Sequence, residues 1–200
     1  MRQLQTCPPR IRGSLRERTG PLDPLANQDV LVLADQQNLD EGARDLGRKL
    51  VWGELARILQ RACRSLSRHV FFAEPPGDHS QTAYFTARGW RPSPKQVRQV
   101  RTWRGTEREA NIDLILTFFA GLLVRQWPAT RLLICSGDGQ LVENLVEGLD
   151  LAAAMGQIAR PLPVITLSVP GSTASRLRAG SKSHIVANLM LGADCLRERP

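Results

Sequence analysis

The sequence contains no C-x-x-C pair and no cysteine–histidine spacing suited to zinc. It also lacks G-x-G-x-x-G and G-x-x-x-x-G-K-[ST] runs, so a small-molecule phosphatase or nucleotide-binding α/β protein has no support. Cys7, Cys63, Cys135 and Cys195 are widely scattered. Cys63 and Cys135 fall on core-facing positions of a helix and a strand, and they read as reduced core residues of a cytoplasmic protein. Long apolar runs are missing too. The strongest, Ile112 to Val124, is interrupted by Asp113, Thr117 and Gly121 and is too short to span a bilayer. A soluble protein with no membrane partner is expected. The N-terminus has no apolar leader core. It is basic instead, with Arg2, Arg10, Arg12, Arg16 and Arg18 against Glu17 and Asp23. A disordered basic arm and an organelle transit peptide share that composition. Acidic residues are in deficit, 19 Asp and Glu against 27 Lys and Arg, for a net charge of +8. The resulting field attracts polyanions, nucleic acid first and anionic membrane second.

What is present fits one ordinary domain: 200 residues, 42% of them hydrophobic, can fill a single core. Residues 1–28, with several prolines, many charges and no period, read as a flexible tail, and residues 29–200 as the domain. Asp29 to Asp40 (DVLVLADQQNLD) organises the rest. The unbroken apolar run Val30 to Ala34 is a strand buried on both faces, and Asp35 and Asn38 stand at its C-terminal end, where ligands sit in open parallel sheets. Arg131 to Cys135 (RLLIC) repeats the pattern and runs into Ser136, Gly137 and Asp138.

Between these strands, an apolar stripe from Leu46 to Leu66 predicts one long helix over Gly42 to Arg68. His69 to Ala73 is a second strand, and Asp78 caps a short helix from His79 to Arg88, stopped by Gly89. A strand is placed around Gln96 to Trp103. Asn111 to Gln126, apolar almost all round, predicts a central buried helix closed by Trp127-Pro128. After Asp138 a helix buries Leu141, Val142, Leu145, Val146 and Leu149. Pro163 to Val169 is another strand, Ser172 caps a short helix to about Arg178, and His184 to Leu191 fits either a strand or a helix. Strands alternating with helices point to a three-layer α/β/α sandwich with a mostly parallel central sheet.

This architecture brings three carboxylates together: Asp35, Asp113 at the start of the apolar helix, and Asp138. Grouped carboxylates repel unless a cation neutralises them, and hard oxygen ligands select Mg²⁺ or Mn²⁺. A metal so held can activate water against a phosphodiester. Each acid also has a structural alternative. Asp113 can complement the helix dipole, Asp138 can cap the following helix, and Asp35 or Asn38 can serve in an Asx turn or a cap.

The order V-L-V-L-A-D-Q-Q-N-L, A-N-I-D-L-I-L, L-L-I-C-S-G-D-G-Q-L and P-V-I-T-L-S-V-P-G-S resembles the NYN domain family, a branch of the PIN-like ribonuclease superfamily that includes the LabA-like proteins. The resemblance covers about Asp29 to Leu191. It implies a PIN-like fold, bound Mg²⁺ or Mn²⁺, and hydrolysis of RNA to products with a 5′-phosphate and a 3′-hydroxyl. By position, Asp35, Asp113 and Asp138 would be the metal ligands and Asn38 their polar neighbour in the catalytic set. Three family acids are absent. Gln140 stands two residues after the Ser-Gly-Asp acid, Phe118 and Phe119 where a second helix acid is common, and Ser183-His184 in place of an alanine–aspartate pair. Glu143 could lean toward the metal, and His184 could shuttle a proton, although packed or solvated roles fit both.

Arg88, Arg91, Lys95, Arg98, Arg101, Arg104 and Arg108 accompany Trp90 and Trp103. Guanidinium groups at that density can follow successive phosphates of single-stranded RNA while a tryptophan stacks on a base. The two tryptophans fit the core better than that role. Arg176, Arg178 and Lys182 form a second basic group. The expected activity is a metal-dependent endoribonuclease, and a homo-oligomer is compatible with the sequence. The alternative, which Gln140 favours, is a catalytically weak or inactive PIN-like module that binds RNA or a protein partner and regulates by occupancy.

Overall fold

The computed structural model describes residues 22–102, 105–159, 162–174, 177 and 185–199, with backbone alone at 99–102 and 105–109. Its centre is a parallel sheet in the order β4-β3-β1-β7-β8-β9. The strands are β1 (Asp29–Asp35), β3 (Ser65–Glu74), β4 (Arg91–Gln96), β7 (Arg131–Cys135), β8 (Val164–Ser168) and β9 (Ile185–Met190). Every pairing in this sheet is parallel.

Alternation along β1 divides the interior. Val30, Val32 and Ala34 enter one apolar cluster with α1 (Gln36–Asp45), α2 (Trp52–Ala62) and α3 (Ser80–Thr86). Leu31 and Leu33 enter the other with α4 (Ile112–Gln126) and α5 (Gly139–Ala154). This is a three-layer α/β/α sandwich. Residues 30–34 are all 0% exposed, and each Val or Leu so buried contributes about 1.5–3 kcal/mol. A polar side chain there would lose that and add a desolvation cost, so carboxylates appear only at the two ends of the strand, Asp29 and Asp35. All five apolar residues assigned to α5 are buried.

Three elements differ from the sequence reading. The stripe from Leu46 to Leu66 is not one helix: Gly47, at φ 69°, ends α1, and its N–H donates to Arg44 O at 2.8 Å. The chain then forms β2 (Arg48–Leu50), antiparallel to β10 (Leu196–Glu198), before α2 begins. Leu50, Leu55 and Leu59 still reach one core, so the apolar spacing survives a break in the helix. The strand near Gln96 resolves into edge strand β4 and a two-stranded ribbon of β5 (Arg98–Thr102) and β6 (Gly105–Glu109). Pro92 and Pro94 lack N–H donors, and an edge strand tolerates that. The apolar helix α4 is not central. It buries Ile112, Leu116 and Ala120 while Leu114 and Phe118 are 68% and 64% exposed, because it covers the outer flank of β1 and β3 with no layer beyond it among the described residues.

Smaller differences concern the ends. The packed part begins ahead of Asp29, since Leu25, in a 3₁₀ turn over Asp23–Leu25, is fully buried; residues 1–21 lie outside the described residues. Asp78 Oδ1 accepts from Ser80 N at 2.8 Å at the head of α3, as expected. The Ser172 hydroxyl donates to Val169 O at 2.9 Å and closes the turn after β8, and most of the short helix placed after it lies outside the described residues. Cys63, Cys135 and Cys195 are free and buried, and burial raises all three thiols, Cys63 and Cys195 to about 11. No helix among the described residues is long and apolar enough to cross a membrane.

Candidate functional site

From β1 the chain moves outward through β3 to β4, then returns to β7 on the other side of β1 and continues to β8 and β9. The connections leaving β1 and β7 go to opposite faces, α1 to one cluster and α5 to the other. A crevice opens where they part, at the C-terminal ends of the two strands, and ligands of open α/β sheets bind there. Asp35 ends β1 and Asp138 follows β7, so the two acids flank this crevice.

Both acids also cap helices. Asp35 Oδ1 accepts from Asn38 N at 3.2 Å, and Asp138 Oδ1 accepts from Gln140 N at 2.7 Å and from Leu141 N at 3.4 Å. The structural alternatives for both acids are therefore occupied. Asn38 ties the crevice shut at its base: its Oδ1 accepts from Gly137 N at 2.6 Å. That bond leaves the Asn38 amide NH₂ as its remaining donor. Gly137 is glycine for lack of room, because a Cβ would sit 2.5 Å from Ser172 O. Gly42 of α1 meets the same turn, with Ser172 Cβ 2.9 Å from the place a Cβ would take. The loops after β1, β7 and β8 thus pack into one unit.

Asp113 belongs to the first turn of α4, whose cap is Asn111, the acceptor of Leu114 N at 3.0 Å. It shares with Asp35 a cleft of about 390 Å³ lined also by Gln37, Asn38, Glu41, Asn111 and Ile112. Burial pushes the Asp35 carboxyl up to about 6 against the pull of the Asn38 amide, and the charges of Asp113 and Asp138 push it further. Asp113 is raised by burial and by Asp138. The three acids therefore feel one another, and no cation is among the causes of either shift. By donor type the group fits a hard divalent cation. By spacing it does not as it stands, since among the described residues no three His, Cys, Asp or Glu side chains converge to hold a metal ion.

Glu41 was not singled out by the sequence, although it lies one helical turn beyond Asn38 and so on the same face of α1. Gln37 Nε2 donates to its Oε1 at 3.1 Å. Two further acids stand near the same sheet edge. Glu74, 3% exposed at the end of β3, accepts from Thr82 N and Thr82 Oγ1 at 3.0 and 2.9 Å and anchors α3. Asp40 accepts from Trp52 Nε1 at 3.1 Å and from Gln36 Nε2. Gln140 points its amide along α5, donating to Asn144 Oδ1 at 2.9 Å.

The basic stretch is divided among three places. Arg88 follows α3, with its guanidinium 3.6 Å from the centre of the Tyr84 ring. Arg91 and Lys95 lie at opposite ends of β4, and Arg98 opens the ribbon. Trp90, 2% exposed, packs edge-on against Trp52 and donates to Trp52 O, so it is core, as its sequence setting suggested. The side chains of Arg101 and Arg108, together with Trp103, Arg104, Arg176, Arg178, Lys182, Ser183 and His184, lie outside the described residues.

No family model matches the chain, and no curated protein matches it. Its fold is similar to that in the crystal structure of a Vibrio parahaemolyticus protein of unknown function. The TM-score is 0.64 at 16% identity, over 85% of this chain and 97% of that one. At such identity the likeness shows the fold alone.

Proposed function

We propose that the chain is a metal-dependent endoribonuclease of the NYN type that hydrolyses single-stranded RNA at the crevice between β1 and β7. The observation that carries this reading is the placement of Asp35 and Asp138 on either side of the topological switch point, with Asp113 close enough to raise Asp35. Asp35, Asp113 and Asp138 are the residues that would hold Mg²⁺ or Mn²⁺; because they do not converge on one point in this structure, they would have to draw together around the ion, which would supply Lewis acidity and a more acidic bound water. The side chains do the rest. Burial and the neighbouring acids raise the Asp35 carboxyl to about 6 with no cation beside it, and a bound divalent cation would relieve that repulsion and keep Asp35 ionised as a ligand. The Asn38 amide, fixed through Gly137, is positioned to donate to a phosphate oxygen. Glu41 adds negative charge at the cleft mouth and favours a cation there.

A second reading, an RNA-binding module with weak or no catalysis, is favoured by Gln140, a neutral amide engaged with Asn144, and by the spacing of the acids. Cleavage of end-labelled single-stranded RNA with Mn²⁺, Mg²⁺ or EDTA separates the two. Metal-dependent cutting by wild type that falls at least 100-fold in Asp35→Asn and Asp138→Asn is the expected result, and Gln140→Asp should raise the rate. RNA binding without cutting, equal in all variants, would sink the nuclease and leave the module.

A further inference from the structure

On the other side of α1 from the acids lies a second cleft, of about 460 Å³. Successive residues of α1 face different ways: Gln37, Asn38 and Glu41 line the acidic cleft, while Gln36, Asp40 and Arg44 line this one. Three cations surround it from three parts of the chain, Arg44 from α1, Lys49 from β2 and Arg199 from the segment after β10. The β2–β10 pairing assembles them, because it sets Arg197 opposite Lys49 and brings Arg199 N to 3.4 Å from Gly47 O. Among the described residues none of the three makes an ion pair within 4.0 Å; the one carboxylate of the lining, Asp40, feels the charges of Arg44 and Lys49 and leaves the cleft with an excess of two cations. The wall is aromatic. Trp52 is buried with its Nε1 on Asp40, and Tyr84, 36% exposed, is held by Arg88 over its ring.

We propose that this cleft is a nucleotide subsite of the RNA strand, in which Arg44, Lys49 and Arg199 take phosphate oxygens and Tyr84 takes a base. It rests on the ribonuclease or RNA-module reading above and adds where the strand goes after the acids: across the first turns of α1. The mixture of ligating groups distinguishes a nucleotide from other anions. Inorganic phosphate or an acidic peptide would use the cations and leave the aromatic wall idle, whereas a nucleotide offers a charged backbone and a planar heterocycle together. Crossing α1 also carries the strand from a negative cleft, where only a bound cation makes phosphate welcome, to a positive one where phosphate needs no cation.

The test is fluorescence anisotropy of a fluorescein-labelled 12-nucleotide single-stranded RNA of mixed sequence, in EDTA and over a salt series. It compares wild type, Lys49→Gln/Arg199→Gln, Tyr84→Ala and Asp138→Asn, each with its melting temperature and its Mn²⁺-dependent cleavage rate. The double variant should bind at least tenfold more weakly, with the salt slope reduced by about 1.4 for two lost single-strand phosphate contacts. Tyr84→Ala should lose roughly tenfold, toward the lower end for one base–aromatic stack. Wild-type affinity and slope in both cleft variants, with melting temperatures unchanged, would overturn the subsite, as would failure of wild type to bind the RNA. Free adenosine or uridine monophosphate binding as tightly as the 12-mer would also overturn it and reassign the cleft to a small ligand. Weakened binding with no cleavage by any protein would keep the subsite and remove the nuclease. Unchanged binding with cleavage lost in Asp138→Asn would do the reverse.

Discussion

Asp35 and His69 are both buried, and they pull the stability of the molecule in opposite directions with pH. The Asp35 carboxyl is raised to about 6. Between pH 4 and 6 the unfolded chain has released that proton while the folded chain still holds it, so stability falls as pH rises, by on the order of 2–3 kcal/mol. The His69 imidazole, beside Ser67 Oγ at 3.1 Å, is lowered to about 4 by burial and by the charge of Arg91. From pH 6.5 down to 4 the unfolded chain takes a proton that the folded chain refuses. Stability therefore falls on acidification by a similar amount. In EDTA the two contributions oppose each other between pH 4 and 6, and the raised carboxyls of Asp40 and Asp113 add to the Asp35 side. Asp35→Asn keeps an acceptor for the Asn38 amide and removes its own part of that side. It should melt like wild type at pH 4 and on the order of 2 kcal/mol more stably at pH 7, and parallel profiles for the two proteins would refute the burial cost assigned to Asp35. A gain in stability coupled to a loss of cleavage would mark a residue kept for chemistry. Asp35 and Asp138 were legible in the sequence because a doubly buried apolar run admits no unpaired carboxylate, so the first acid after each run lies at or just past the strand end; a hydroxyl is admitted where it is paired, as Thr166 of β8 is with Asn188. The tie from Asn38 to Gly137 was not legible, since it joins residues far apart in the chain. The Asp40 and Glu41 faces were hidden for another reason: which way α1 turns depends on its packing.

At the level of elements, α4 separates composition from burial. Its sequence is apolar almost all round, and such a helix is ordinarily enclosed, yet only Ile112, Leu116 and Ala120 are buried in it. Leu116→Ala should cost about 2–5 kcal/mol, as a fully buried leucine does, while Phe118→Ala should cost under about 1 kcal/mol because its ring is mostly in water. Urea melts would show it, and equal losses would mean that α4 is enclosed on both sides. The strands β1, β7 and β8 were readable for the opposite reason: both of their faces are filled, so sequence pattern and burial coincide. The α1–β2–α2 region was not, because the apolar spacing runs straight through the Gly47 break and β2 needs β10, its partner from the other end of the chain. Nor was the β5–β6 ribbon, whose two strands pair with each other outside the sheet and so show no core-facing period.

For the whole molecule, the order of strands divides the sheet into two sections made at different times. Residues 29–96 supply β1, β3 and β4 with the three helices on one face; β7, β8 and β9, with α4 and α5 on the other face, come later. A chain ending at Gln96 should bind a hydrophobic dye such as ANS strongly, and the full chain should not; equal, weak binding by both would show that the first section closes on itself. The position of β1 in the middle of the sheet acquires a temporal meaning on the ribosome. At about 5–20 residues per second, the stretch from Gln96 to Arg131 takes roughly 2–7 s to make. For that interval the strand that will carry Asp35 has one edge unpaired, and Leu31 and Leu33 stay uncovered until α4 has been made, so the section that anchors the candidate site is also the one most in need of a chaperone's cover.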